Sequence, residues 1–238
     1  MTTANVDGRI LDIPSIGAVQ RGALNDNVQK SGRTTGLTTG TIAAVNVTIS
    51  VKYGSHCGGG RGTGSFTDQI RITPADFSDG GDSGSLVLTS GGNPVGLLFA
   101  GSSSSTFANQ IDRVLGALSI TIPQYAAAAS WRSWFAWLLP QPRPAHAQDG
   151  PPVSRASEAA AHRAKARHEQ ALMAIQGVVG VGVGMSDSNA GEAVVEVYVE
   201  HGGQRLRASI PAHVDNVPVK VVETGEIVAR VSCASPRE

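Results

Sequence analysis

The sequence predicts a mainly β protein. It reads as a β-barrel over residues 1–122, a helix and proline-rich linker over 123–153, and a small α/β module over 154–238. Three observations carry this. Up to about residue 118 the apolar segments are short and bounded by Gly, Ser and Thr, as strands joined by tight turns are. Residues 140–152 hold five prolines and one glycine, the composition of a partly extended linker. Past that linker an Ala-, Arg- and Glu-rich helical stretch gives way at Gly177 to a period of two. The 29 glycines and 5% aromatic content fit a turn-rich barrel.

Six residues in the first part carry the candidate chemistry: Gly80-Gly81-Asp82-Ser83-Gly84-Ser85. A serine hydroxyl is a useful nucleophile only when a base takes its proton and backbone N–H groups hold the oxyanion it creates. Glycines allow a tight turn, partly at positive φ, that aims successive N–H groups into one hole. Ser83 is the expected nucleophile. The N–H groups of Gly81 and Ser83 are the expected oxyanion donors, and Gly80, Asp82 and Gly84 complete the motif. The bland alternative is a polar turn between strands, since Gly-Asp, Asp-Ser and Gly-Ser pairs form turns readily.

The flanking residues weigh against that alternative. Val28-Gln29-Lys30-Ser31-Gly32-Arg33-Thr34-Thr35-Gly36-Leu37-Thr38-Thr39-Gly40, Phe66 to Ile72, Ser85 to Leu88, Pro94 to Gly101, and Ala108 to Ile111 with Val114-Leu115 follow in order. Together they resemble the second barrel of the trypsin-like, chymotrypsin-fold serine proteases, in particular the bacterial branch that includes the plant Narrow leaf 1 protein. The resemblance covers roughly residues 1–118, about half the chain. It implies an opening strand at 28–40, a strand entering the nucleophile loop at 66–72, a strand leaving it at 85–88, a pocket strand at 94–101, and a closing strand and helix. It also implies a serine endopeptidase acting on peptide or protein substrates without a cofactor or metal. Phe77, six residues before the serine, would floor the specificity pocket, with Phe99, Ala100 and Gly101 along its wall. An apolar floor implies a small or apolar substrate side chain rather than Lys or Arg.

The same resemblance exposes a gap. This fold orders its triad His, Asp, Ser along the chain, with the acid roughly ninety residues ahead of the serine. Counting back from Ser83 runs off the start. Asp7 and Asp12 lie in a stretch similar to the segment just after the catalytic aspartate's strand. His56, in Gly54-Ser55-His56-Cys57-Gly58, reads as a solvated loop histidine, and the other five histidines follow the serine. The expectation is therefore a C-terminal barrel only, with the first barrel missing or on a separate chain, and a polypeptide inactive alone. Loss of a triad member costs about 10⁶ in turnover. An oxyanion hole by itself retains about 10³–10⁴ over water. The alternative function is a non-catalytic pseudo-protease or protein-interaction module.

Ala126 to Leu139 contains all three tryptophans. It reads as a helix docked on the barrel or as an interfacial membrane helix, and no apolar run reaches transmembrane length. Further on, Ser154 or Ser157 is the expected cap of a helix through Ile175, with Ala164, Ala171, Leu172 and Ile175 on one face. Val179, Val181 and Val183 alternate with glycines, as in a strand packed closely on a neighbour. No helix follows them, so a dinucleotide loop is rejected. Ala193 to Glu200, Leu206 to Ile210 and Val217 to Val222 read as further strands. This module resembles a domain that precedes the barrels in the same protease branch, which implies packing or substrate presentation. A formal net charge of zero gives no electrostatic case for nucleic acid. Two cysteines, Cys57 and Cys233, make no disulfide framework. With no signal peptide at Met1, a cytoplasmic setting is slightly favoured.

Overall fold

The structure, a computed structural model, describes residues 9–54, 62–126, 153–189 and 191–229. It is mainly β. The first part contains β1 (Ser15–Ile16), β2 (Asn27–Gly32), β3 (Gly36–Tyr53), β4 (Gly62–Thr73), β5 (Leu86–Thr89), β6 (Pro94–Gly101), β7 (Thr106–Gln110), α1 (Ile111–Leu118) and β8 (Tyr125–Ala126). Strands β2 to β7 close on themselves in the order β3-β2-β5-β6-β7-β4, with β4 returning to β3. Every pairing in this circuit is antiparallel. Closure leaves the six strands no common open edge. Val28, Ile42, Ile70, Ile72, Phe77, Val87, Val95, Leu98 and Ala108 belong to one buried cluster within it.

One predicted element of this first part differs. Residues 28–40 are not a single strand but a hairpin. β2 ends at Gly32, the chain turns through Arg33–Thr35, and β3 begins at Gly36 with φ of +64°. The run of small polar residues hides the turn, because its conformation is fixed by a contact from residue 82.

The second part contains α2 (Arg155–Met173), β9 (Val178–Met185), β10 (Ala193–Val199), α3 (Gln204–Ser209), β11 (His213–Val214), β12 (Val217–Glu223) and β13 (Val228–Ala229). It continues the same sheet. β9 pairs antiparallel with the Ala44–Ile49 stretch of β3, then come β10, β12 and β11. The glycines of β9 make this approach possible. A Cβ at Gly180 would sit 2.8 Å from Ile49, the Thr48 carbonyl and Tyr198, and one at Gly182 would sit 2.5 Å from the Tyr198 hydroxyl. Tyr198 fills that space and points its hydroxyl at Glu196 (2.9 Å). Glu196 in turn holds Arg71 of β4 through both oxygens, at 3.0 and 2.8 Å. A buried ion pair thus ties β10 to the barrel.

On α2, Ala161, Ala164, Lys165 and Leu172 are buried. They follow the three- and four-residue spacing of one helix face. Ala171, expected on that face, is exposed. Ser154 occupies the N-cap position without a side-chain capping bond. Ser157 instead accepts the Ala193 N–H at 2.8 Å. The expected strand at 206–210 is a helix. Leu206 within the helix and Ile210, its extended C-cap, both meet the core, and Gln204, Arg205, Arg207 and Ala208 are good helix formers. The tryptophan-bearing stretch, the proline-rich linker, Asp7, His56 and both cysteines lie outside the described residues. Among the described residues no helix is long and apolar enough to cross a membrane.

Candidate active site

The Gly80–Ser85 turn is built around a carboxylate that the sequence presents only as part of a motif. Asp82 is 1% exposed. Its Oδ1 accepts the N–H of Thr34 at 2.7 Å and of Thr35 at 3.3 Å. Its Oδ2 accepts the Thr35 hydroxyl at 2.7 Å and the Asp79 N–H at 3.1 Å. Lys30 lies 3.4 Å from Oδ2, with both side chains fully buried. Burial alone would raise the Asp82 pKa. The donors from Thr35, Asp79 and Thr34 outweigh it and hold the carboxyl at about 2. Lys30 responds oppositely: its pKa is lowered because burial exceeds the attraction of Asp82. Its ammonium also reaches Thr35 Oγ1 and the Gly36 carbonyl (3.0 Å).

These contacts clamp the turn of the β2–β3 hairpin onto the Gly80–Ser85 loop. A further bond runs from the Thr34 hydroxyl to the Gly80 carbonyl at 2.8 Å. The loop needs its glycines, since Gly81 has φ of +103° and Gly84 of +88°. Gly84 N–H donates to the Leu98 carbonyl (2.8 Å) and Leu98 N–H to Ser85 (3.1 Å), which lays the loop along β6. Ser83 is exposed, and its hydroxyl lies 3.5 Å from the Phe99 carbonyl. Asp82 N–H is used within the turn, on Asp79 O at 3.1 Å. An exposed serine on a turn fixed from beneath by a buried carboxylate suits nucleophilic attack, and Gly81 lies in the same turn.

The residues expected to line a pocket separate into two settings. Phe77 is 1% exposed, in the barrel core, with the Lys30 ammonium 5.8 Å from its ring centre. Phe99 is half-buried, its ring 4.9 Å from Phe66, which is 6.5 Å from Tyr53. Ala100 is fully buried among Val47, Ile49 and Phe107, and Gly101 pairs with Thr106 of β7. Asp12, in a tight turn at φ of +63°, precedes β1 rather than lying on the Gly80–Ser85 loop. Of the histidines, His162 contacts Asn46 (3.1 Å) and Glu158, while His168 contacts Asp215 (3.1 Å). Among the described residues no cluster of His, Cys, Asp and Glu is arranged to hold a metal.

Sequence reasoning did not single out Lys30, Thr34 and Thr35. A signal was present: Val28 and Lys30 are two apart on one strand, so they share its inward face. A lysine there needs a buried anion, and only folding brings residue 82 to it.

No protein-family model and no curated protein matches the chain. Similarity is found among solved structures. A glutamic-acid-specific serine protease described as using a histidine triad in substrate binding is 27% identical, with a TM-score of 0.38, over 50% of this chain and 59% of that one. Cellulomonas bogoriensis chymotrypsin is 27% identical, with a TM-score of 0.36, over 45% and 56%. Thermobifida fusca protease A is 29% identical, with a TM-score of 0.35, over 44% and 52%. The chain spans between half and three fifths of the length of these proteases.

Proposed function

We propose that the chain carries the nucleophile half of a serine endopeptidase site. Ser83 attacks the peptide carbonyl, the Gly81 and Ser83 N–H groups hold the oxyanion, and the general base and its orienting acid come from outside the described residues, on a partner barrel. By itself the chain is then a poor hydrolase, limited to what an oxyanion turn and binding supply, about 10³–10⁴ over water. The observation that carries this reading is the Gly80–Ser85 loop. A buried, multiply bonded Asp82 sets a turn with two positive-φ glycines and leaves Ser83 exposed. A polar linking turn has no need of a buried ion pair beneath it.

The test is reaction with a fluorophosphonate probe, together with casein hydrolysis. The expected result is negligible labelling of the chain alone. Co-expression with a His- and Asp-bearing first barrel from a two-barrel protease is expected to bring labelling that Ser83→Ala abolishes. Rapid Ser83-dependent labelling of the chain alone would show that a base is already in place; His56→Ala would then ask whether it is His56. A second reading, a non-catalytic peptide-binding module, is favoured by one observation: a strand of the chain itself lies along β6 beside the serine.

A further inference from the structure

A cleft of about 550 Å³ lies between the barrel and α2, and no residue of the Gly80–Ser85 loop lines it. Its volume falls within the range of small-molecule sites, roughly 300–1,000 Å³. The helix wall is one stripe of α2. Glu158, His162, Lys165 and Glu169 follow one another at spacings of four, three and four. A helix stripe turned toward the body of a protein is ordinarily apolar. Here all four side chains are ionisable, while Ala161, Ala164 and Leu172 of the same helix pack on the core. The barrel wall brings Arg21, Asp68 of β4 and Arg113 of α1 to the same space.

Most of these charges already have close partners. Lys165 is 2% exposed, and its ammonium donates to Glu169 at 2.7 Å and to the Thr48 hydroxyl at 3.2 Å. Arg21 uses Nη2 on both oxygens of Asp68 and Nη1 on Asp112. Two groups of opposite sign keep spare capacity. Arg113 bonds Asp68 through Nε, at 3.1 Å, and its side chain is 71% exposed, which leaves the N–H groups of both Nη atoms for a ligand. The Glu158 carboxylate meets His162 Nε2 at 3.7 Å, too far for a hydrogen bond. The other ring nitrogen, Nδ1, lies 3.1 Å from the Asn46 amide, so the imidazole is held beside Glu158 from the barrel side.

We propose that this cleft binds a small zwitterion whose ammonium and carboxylate are held apart, such as a short peptide with free ends, its carboxylate on the Nη groups of Arg113 and its ammonium on Glu158. The charges lining the cleft argue for both signs in one ligand. Arg21, Arg113 and Lys165 are matched by Asp68, Glu158 and Glu169. A simple anion would face the carboxylates of α2, and a simple cation the arginines of the barrel, and like charges brought together repel. A zwitterion satisfies each wall with its opposite. A guanidinium with free N–H groups suits a carboxylate, which it can hold through two parallel bonds. The site is independent of the reading of Ser83 as a nucleophile.

The experiment titrates the full chain with triglycine at constant pH and follows the His162 ring by NMR. The ring is expected to shift, with a Kd in the millimolar range. Acetylating the amine of triglycine, or amidating its carboxylate, should each weaken binding at least about tenfold, the loss of one charge-assisted contact. Arg113→Gln and Glu158→Gln change accessible side chains and are expected to keep a urea midpoint close to the native one. Each should bind free triglycine as weakly as the native chain binds the blocked forms. The losses should not add: amidation costs nothing further in Arg113→Gln, nor acetylation in Glu158→Gln. A ring that does not move, a response to either blocked peptide equal to that of the free one, or native affinity in either variant overturns the proposal. The zwitterion 6-aminohexanoate identifies the source of the ligand. A response matching triglycine means that separated charges alone are read, and no response means that the ligand is a peptide.

Discussion

Replacing Asp82 by asparagine tests whether the Gly80–Ser85 turn is set by a buried charge or merely by turn propensity. The amide is nearly isosteric. Its oxygen can still accept the Thr34 and Thr35 N–H groups, but its NH₂ faces the Asp79 N–H, the Thr35 hydroxyl and the Lys30 ammonium, all donors. The size of the loss follows from two directions. The carboxyl is held at about 2 against an ordinary 3.8, which corresponds to roughly 2–3 kcal/mol of native-state preference for the ionised form. Removing one partner of a buried pair costs roughly 3–5 kcal/mol, because the other charge is left uncompensated. Lys30 keeps Thr35 Oγ1 and the Gly36 carbonyl as acceptors, so the expected loss is about 3 kcal/mol, toward the lower end. Lys30→Met should cost less than Asp82→Asn. Burial already works against the lysine's charge, whereas Asp82 retains four other donors. In the Lys30→Met background Asp82→Asn should lose less than in the native chain, leaving an interaction energy of about 1–3 kcal/mol. Urea unfolding followed by far-UV circular dichroism measures all four proteins. The pH dependence has a definite sign. The folded carboxyl binds its proton less tightly than the unfolded one, so its contribution is complete above about pH 5 and is lost as pH falls through 4 toward 2. The native protein and Asp82→Asn should therefore converge in stability near pH 2. A loss below 1 kcal/mol at pH 7, or one of the same size at pH 2, would refute the reasoning.

Ser83→Ala should leave stability within about 0.5 kcal/mol, since the side chain is exposed, and the urea midpoint checks this. Gly81→Ala should destabilise by about 1–3 kcal/mol through its φ of +103° and the approach of Arg33 and Thr34, read in the same urea titration. Glu196→Ala leaves the buried Arg71 guanidinium unpaired and should cost about 3–5 kcal/mol. Faster amide exchange along β9 and β10 would locate the damage at the seam with β3. The Tyr198 hydroxyl has its pKa raised well above the usual value, by burial first and the Glu196 charge second. In an ultraviolet alkaline titration it should ionise only as the protein unfolds, with stability falling above about pH 10.

Much of this architecture was legible in the sequence because it depends on local rules. Short apolar runs between Gly, Ser and Thr gave the mainly β class, and the family resemblance placed strands at 66–72, 85–88, 94–101 and from 108, each of which overlaps an observed strand. The helix before Gly177 followed from residue propensity, and the Gly/Val alternation of β9 followed from a period of two. Where the local pattern supported two structures, the reading failed. Leu206, Ala208 and Ile210 alternate as a strand does, yet residues 204–209 form a helix that places Leu206 on the core, and Ile210 caps it in extended conformation and packs there too. The turn inside 28–40 went unseen because the groups that fix it are 47 and 48 residues away in Asp82.

The candidate site divides along the same line. The sequence by itself marked Ser83 as the candidate, with Gly81 and Gly84 close by, and gave the expectation of a barrel, since the Gly80–Ser85 motif is contiguous and its backbone demands are written in glycine. Only the tertiary structure decided what holds that turn and what lies beside it. Lys30 meets Asp82 across 52 positions of sequence, and Val228 and Ala229 reach the β6 edge next to Ser83 from the far end of the chain. These pairings depend on how a closed barrel and its sheet extension bring distant strands into register. Burial makes each of them strong in the fold, and no local pattern of residues can announce them.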